Sequence, residues 1–256
     1  MQLYHGDCLK VMDELIEKGI KVDMILCDPP YGSTRCKWDT IIPLNEMWER
    51  INKLIKLNGA VLIFGSEPFS STLRMSNIKN YKYDWIWIKE QGTGVLNAKK
   101  QPLRNAELIS VFYKKQCTYN PQMTKGYPYA MTRTPKGKHS EIYNEQVDSI
   151  TTINNGERYP LTTIYFNREL HGNNKRFHPT QKPIDLLEYL IKTYTNENEL
   201  VLDFTMGSGS TGIACKNLNR DFIGIELEEK YFNIAKERIE NINKKDKEGE
   251  INGDNF

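Results

Sequence analysis

Apolar residues fall along the chain in two alternating rhythms. Short dense runs, the mark of buried strands, occur at Val22–Cys27, Ala60–Phe64, Asp84–Ile88, Leu108–Phe112, Leu200–Phe204 and Phe222–Glu226. Between them the spacing turns helical. Leu44, Met47, Trp48, Ile51, Leu54 and Ile55 recur every three or four residues, which predicts a helix over Leu44–Leu57 stopped by Asn58-Gly59. Ile184–Tyr194 reads as a helix opened by Pro183 at its first position. Thr211–Leu218 starts another, and Lys230–Ile242 is a last amphipathic one. Strands interleaved with helices imply an α/β domain with a mostly parallel sheet.

The rhythm dissolves over residues 114–176. Pro121, Pro128, Pro135 and Pro160 interrupt that segment, Thr, Asn and Tyr are frequent, and no period is sustained. The expected organisation is therefore a first α/β half at 1–113, an insertion of loops and short strands at 114–176, a second α/β half at 177–244, and a charged, frayed tail at 245–256. No internal repeat is visible.

Composition narrows the class. With 256 residues, 39% hydrophobic and 27% charged, the chain is expected to be globular rather than disordered. No apolar run approaches the roughly 18 residues of a membrane span, and Met1–Asp7 lacks a basic stretch followed by an apolar one, so no secretory signal is read. The five cysteines, Cys8, Cys27, Cys36, Cys117 and Cys215, are scattered and form no CxxC pair. That argues against a disulfide framework or a zinc site, leaves no metal expected, and fits a reducing cytoplasm. The net charge of +2 conceals an asymmetry: residues 114–176 hold ten Lys and Arg against five Asp and Glu, a local net of +5. A basic segment on a slightly acidic body suggests a polyanionic partner, although a solvated loop region would read the same way.

Two turns carry the chemistry. Leu200–Phe204 runs into Thr205-Met206-Gly207-Ser208-Gly209-Ser210-Thr211-Gly212 and then a helix, and Glu226 ends the next strand. A glycine turn lets backbone approach a ligand closely, and an acid in that place suits two ribose hydroxyls. The string satisfies G-x-G-x-x-G, so by itself it admits NAD as readily as S-adenosylmethionine; it is not a P-loop, because no Lys-Ser or Lys-Thr follows Gly212. The second turn, Asp28-Pro29-Pro30-Tyr31, follows a buried strand at the edge where α/β enzymes place their sites. An exocyclic amine on a nucleobase is a poor nucleophile because its lone pair is delocalised into the ring. The Asp28 carboxylate and the Pro29 carbonyl can each accept one of its N–H groups. Pro29 and Pro30 stiffen the turn and remove competing donors, and Tyr31 can stack on an extruded base. This decides for S-adenosyl-L-methionine over NAD, which would leave the turn unexplained. No Pro-Cys pair is present to support cytosine C5 chemistry.

These motifs, with His178-Pro179-Thr180-Gln181-Lys182-Pro183 between them, resemble the β class of DNA amino-methyltransferases, in which the catalytic motif precedes the cofactor motif and a target-recognition segment separates them. The resemblance implies a circularly permuted, Rossmann-like class I methyltransferase fold with a mostly parallel seven-stranded sheet. It implies that Asp203, Gly207 and Gly209 hold the methionine part of the cofactor and Glu226 its ribose, with Thr211 in the same site. Asp7, within Gly6–Leu9, would meet its adenine, and Cys8, Thr180, Gln181 and Lys182 would line the same site beside Asp28. Trp85–Lys89 and Leu103–Glu107 resemble segments lining the flipped base. The family usually has Asp-Pro-Phe where this chain has Asp203-Phe204-Thr205, so neither Phe204 nor Thr205 inherits that aromatic contact.

Double-stranded DNA is the expected partner. Lys125, Arg133, Lys136, Lys138, Arg158, Arg168, Lys175 and Arg176 in the insertion, with Lys99, Lys100 and Arg104 before it, are the candidate contacts. A homodimer and a separate cognate restriction endonuclease are further partners the resemblance admits. Asp rather than Ser before Pro-Pro-Tyr favours adenine N6 over cytosine N4. The remaining alternatives are methylation of RNA or protein, usually marked by Asn-Pro-Pro-Tyr and the opposite motif order, and a catalytically silent DNA-binding protein.

Overall fold

The computed structural model describes residues 1–32, 39–133, 149–167 and 181–250. They form two compact units, one of Met1–Asn120 with Thr162–Phe256 and one of Pro121–Leu161. The large unit opens with β1 (Gln2–His5), α1 (Cys8–Glu17), β2 (Val22–Cys27), α2 (Leu44–Leu54), β3 (Ile55–Gly65) and α3 (Phe69–Ser76), followed by the long strands β4 (Tyr81–Thr93) and β5 (Arg104–Phe112). The small unit holds β6 (Thr124–Lys125), β7 (Tyr129–Arg133), β8 (Ile150–Asn154) and β9 (Glu157–Arg158). The chain then completes the large unit with β10 (Thr163–Tyr165), α4 (Ile184–Tyr194), β11 (Leu200–Asp203), α5 (Ser210–Asn217), β12 (Asp221–Glu226) and α6 (Glu229–Glu250).

The strand order is β1-β12-β11-β2-β3-β5-β4-β10, parallel throughout except where β5 runs against β3 and β4. Side chains alternate across each strand. On β2, Met24 and Leu26 face a core shared with α4, α5 and α6 and Ile25 and Cys27 one shared with α1, α2 and α3, which Val22 joins across a register shift between Val22 and Met24. The result is a three-layer α/β/α sandwich. In the small unit β6 pairs with β9 and β7 with β8, both antiparallel.

Four sequence expectations need correction. The sheet has eight strands rather than seven, because β10, three residues in a segment without detectable period, adds beside Ile86–Ile88 of β4. The helix over Leu44–Leu57 ends at Leu54: Ile55 is already extended (φ −71°, ψ 136°) and pairs with Val22. Gly59 is therefore no helix stop; a Cβ there would lie 2.7 Å from the Asp23 carbonyl oxygen, so glycine is needed for close strand approach. Pro183 caps α4 in an extended conformation instead of occupying its first turn. The last helix continues to Glu250 where a frayed tail was expected. No helix among the described residues is long and apolar enough to cross a membrane.

Candidate active site

Four parallel strands end side by side at one sheet edge: β1 at His5, β12 at Glu226, β11 at Asp203 and β2 at Cys27. Because β11 pairs with β2, Leu202 opposite Ile25, the Asp28 turn and the glycine turn become neighbours although they are distant in sequence. Both open on one cavity of about 830 Å³. That is in the upper part of the roughly 300–1,000 Å³ usual for small-molecule sites.

The glycine turn is held from below. Gly207 N donates to Glu226 Oε2 at 2.9 Å and Glu228 N donates to Oε1 at 2.8 Å. Asp203 accepts from Thr205 N at 3.1 Å and from Thr211 Oγ1 at 2.6 Å. Arg238, from α6, donates to the Ser208 carbonyl at 2.6 Å and clamps the loop. Gly207 has φ 53° and faces the cavity, where a Cβ would meet no atom within 4 Å; Gly209 has φ 82°, and a Cβ there would lie 2.9 Å from Ala235 Cβ. The first glycine leaves room for a ligand, and the second lets α6 pack closely. Burial pushes the Asp203 carboxyl up to about 7, and burial also raises Glu226.

The Asp28 turn is built differently. Asp28 Oδ1 accepts from the Tyr31 hydroxyl and Oδ2 from the Lys182 ammonium, both at 2.5 Å. Lys182 is buried, lies 5.0 Å from the Phe64 ring centroid, and stands 3.6 Å from Glu107 Oε2. Glu107 in turn pairs with Lys89. The row Asp28–Lys182–Glu107–Lys89 thus alternates in sign along the cavity wall. Burial works against the Lys182 charge, but Asp28 and Glu107 outweigh it and hold the ammonium above its usual value. Burial likewise works against the Glu107 charge, and Lys182 and Lys89 hold its carboxyl below the usual value. Glu107 Oε2 is buried and makes no hydrogen bond among the described residues. Burial, then the nearby Asp28, push the Tyr31 phenol well up.

Most of the expected site residues line this cavity: Asp7, Cys8, Asp28, Pro29, Pro30, Tyr31, Gln181, Lys182, Asp203, Gly207, Thr211 and Glu226. Several do something other than expected. Gly209 does not line it. The Thr211 hydroxyl is spent on Asp203. Asp7 caps α1, accepting from Lys10 N at 3.1 Å. Burial pushes the Cys8 thiol up to about 12, which keeps it in the neutral form. Lys182 turns its ammonium to Asp28 and Glu107, and Tyr31 stacks on Phe69 with centroids 5.2 Å apart. Sequence reasoning missed Arg238, which looks like any surface-helix cation, and, although it placed Lys89 and Glu107 in segments lining the base, it did not foresee their ion pairs. The available signal for those two was a charge bordering an apolar run.

Among the expected DNA contacts, Lys99, Lys100 and Arg104 are exposed on and beside the β4–β5 connection. Arg158, in the small unit, donates to Tyr127 O at 2.6 Å and Glu157 O at 3.0 Å, bonds Asn154 Oδ1, and lies 4.9 Å from the Tyr129 ring centroid. These contacts engage its guanidinium within the small unit. Lys125 is exposed on β6, and Arg133 ends β7. Thr180, Lys136, Lys138, Arg168, Lys175 and Arg176 lie outside the described residues.

The chain is similar to known proteins over most of its length. A family profile described as DNA methylase matches residues 22–237. Type II methyltransferase M2.LlaDCHI of Lactococcus lactis subsp. cremoris is 28% identical over 265 residues, covering 93% of this chain and 88% of that protein. The crystal structure titled as the M1.HpyAVI–SAM complex superposes with a TM-score of 0.63 at 31% identity, over 93% of this chain and 98% of that one. The PvuII DNA methyltransferase, titled cytosine-N4-specific, shares the fold with a TM-score of 0.65 at 14% identity, over 92% and 85% of the two chains.

Proposed function

Because the chain belongs to the DNA methylase family of N6 and N4 amino-methyltransferases, we propose that it methylates adenine N6 at specific sites in duplex DNA, on a base flipped into the cavity. The carrying observation is that the Asp28 turn and the Gly207–Glu226 turn share one cavity. The methyl donor is S-adenosylmethionine, and the site suits it. The bare backbone at Gly207 leaves room, and Asp203 and Glu226 offer carboxylate acceptors that no cation of the described residues pairs. Asp203, Gly207, Gln181 and Glu226 would hold it, with Asp7 and Cys8 at the adenine end. When bound it supplies a methyl group made electrophilic by a sulfonium.

The chain's own residues prepare the nucleophile. A carboxylate offers about four lone-pair sites, so Asp28 retains acceptors beyond those used by Tyr31 and Lys182. Asp28 and the Pro29 carbonyl draw the two N–H groups of the target amine and turn its lone pair toward the donor methyl. Asp28 is then the nearest base for the proton that the alkylated nitrogen must lose. Lys182 fixes the carboxylate's orientation, while Tyr31, locked between Asp28 and Phe69, shapes the wall. The Asp at position 28 supports adenine through the resemblance drawn from the motifs. A homodimer and a separate restriction endonuclease belong to the same reading, by analogy with Type II relatives. Methylation-sensitive sequencing of DNA treated with the pure protein tests it. N6-methyladenine at one recurring sequence is expected, and N4-methylcytosine there would overturn the choice of base.

A further inference from the structure

Beyond the cavity, β4 and β5 run on as a hairpin whose strands stay paired to Thr93 and Arg104. Trp87, Lys89, Thr93 and Glu107 line the cavity at its base. Every residue from Thr93 to Ala106 is exposed. The strands cross closely at Gly92, where a Cβ would lie 2.6 Å from Leu103 Cβ, and the chain turns at Gly94 with φ 91°. A one-turn 3-10 helix, Val95–Asn97, then crowns the tip. Two apolar side chains stand on it: Val95 is 71% exposed and Leu96 is fully exposed at 100%. Around them the charge has one sign. Lys99, Lys100 and Arg104 are the only charged residues between Gln91 and Ala106.

We infer that this hairpin tip is the DNA wedge: Leu96, backed by Val95, enters the base stack where the target nucleotide leaves it, while Lys99, Lys100 and Arg104 grip the flanking phosphates. The inference rests on the base-flipping reading above. Bases leave a duplex only if unstacking is compensated, and proteins do this with apolar wedges such as Leu pushed between base steps. A lone exposed leucine needs no explanation. Here an apolar pair sits on a cationic projection that begins at the rim of the base-receiving cavity. Three cations with no acidic residue between Gln91 and Ala106 fit a phosphate backbone as the occupant.

The experiment uses two sets of duplexes carrying the recognition sequence found by sequencing, one with adenine at the target position for turnover and one with 2-aminopurine there for flipping. Leu96 contacts no core, so Leu96→Ala leaves the fold intact. That variant should lose the fluorescence rise that reports flipping and lose about tenfold or more in kcat/KM on paired duplex, because nothing offsets unstacking. Cofactor affinity should be unchanged. On duplexes with a mismatch at the target, or on single strands, its rate should return to within about twofold of wild type, because extrusion there is easy. Leu96→Phe should keep both signals. Wild-type flipping by Leu96→Ala, or an equal loss on paired and mismatched DNA, overturns the wedge. Failure of the wild-type enzyme to methylate any DNA overturns the underlying reading instead, which separates the two.

Discussion

The cavity keeps carboxylates at both ends, in opposite company. At the glycine turn Asp203 and Glu226 are surrounded by backbone N–H groups and a threonine hydroxyl, form no ion pair among the described residues, and are driven by burial toward the protonated form. At the Asp28 turn, Asp28 and Glu107 arrive already matched to Lys182 and Lys89. The first end is short of positive charge and the second is balanced. A cofactor bearing a sulfonium and an ammonium supplies what the first end lacks, while a nucleobase, which is neutral, asks nothing net of the second. The chain has thus divided one pocket into a cation-seeking half and a neutral half. Substitutions that unbalance either half show whether that division governs function.

The largest effect is expected at Asp28. Asp28→Ala removes the acceptor that orients the amine and should lower methyl transfer by about 10³-fold or more, in the range of losing a positioned general base with its orienting role. Cofactor affinity should stay within about twofold, because the other end of the cavity is untouched. Tritium transfer from labelled cofactor and calorimetric cofactor binding measure the two separately. Normal turnover would reject the role.

Next comes Lys182. Replacing it with Met leaves Asp28 and Glu107 facing each other in a buried wall without their shared cation. Breaking a buried ion pair from one side typically costs about 3–5 kcal/mol, so denaturant midpoints should fall clearly and turnover should drop by about 10²-fold as Asp28 loses its orientation. Lys182→Arg should recover much of the stability and less of the turnover, since a guanidinium cannot reproduce the ammonium's point contact. If the Met variant proved as stable as wild type, the balanced half would be a crystal-like coincidence of packing rather than a held arrangement.

The two halves also differ in how far the sequence revealed them. The glycine turn and the Asp28 turn are local: strand, turn and flanking residue lie within a few positions, so spacing alone displays them. The order of the strands could be inferred only through resemblance, but once β2 and β11 adjoin, the meeting of the two turns follows from pairing. The charge row could not be read that way. Lys182, Glu107 and Lys89 come from a loop and two antiparallel strands, and each looks alone like a residue at the end of an element. The early end of α2 at Leu54 has a similar origin. Ile55 continues the helical spacing, yet its pairing with Val22 is a long-range contact that no local window contains.

A subtler effect is predicted at Asp203. Its folded value of about 7 exceeds the ordinary 3.8. A carboxyl that holds its proton more tightly when folded contributes stability that is complete below about pH 4, declines as pH rises, and is gone above about 7. In Asp203→Asn the protein without cofactor should therefore be more stable than wild type at pH 8, by no more than about 4 kcal/mol. Wild type and variant should converge toward pH 4, and the variant should bind cofactor weakly. Thermal unfolding from pH 5 to 8 checks this. A pH-independent difference would mean that Asp203 is already ionised before any cofactor arrives.

The smallest effect extends the same contrast to the DNA-binding cations. Arg158 resembles Lys182 in being already committed, bonded to Tyr127, Glu157 and Asn154 within the small unit, whereas Lys99 stands exposed beside the hairpin tip. A phosphate contact releases counterions condensed on the DNA, and a cation whose donors are already engaged inside the protein has fewer left to make one. Lys99→Ala should therefore reduce the slope of log affinity against log salt by about 0.9, with no change in melting temperature. Arg158→Ala should leave the slope nearly unchanged and lower stability by about 1–3 kcal/mol through its orphaned carbonyl and amide partners. Anisotropy titrations between low and physiological salt, paired with melting curves, separate these outcomes. A slope change at Arg158 equal to that at Lys99 would show that its internal bonds give way to DNA, and that commitment inside the free protein does not decide which cations bind.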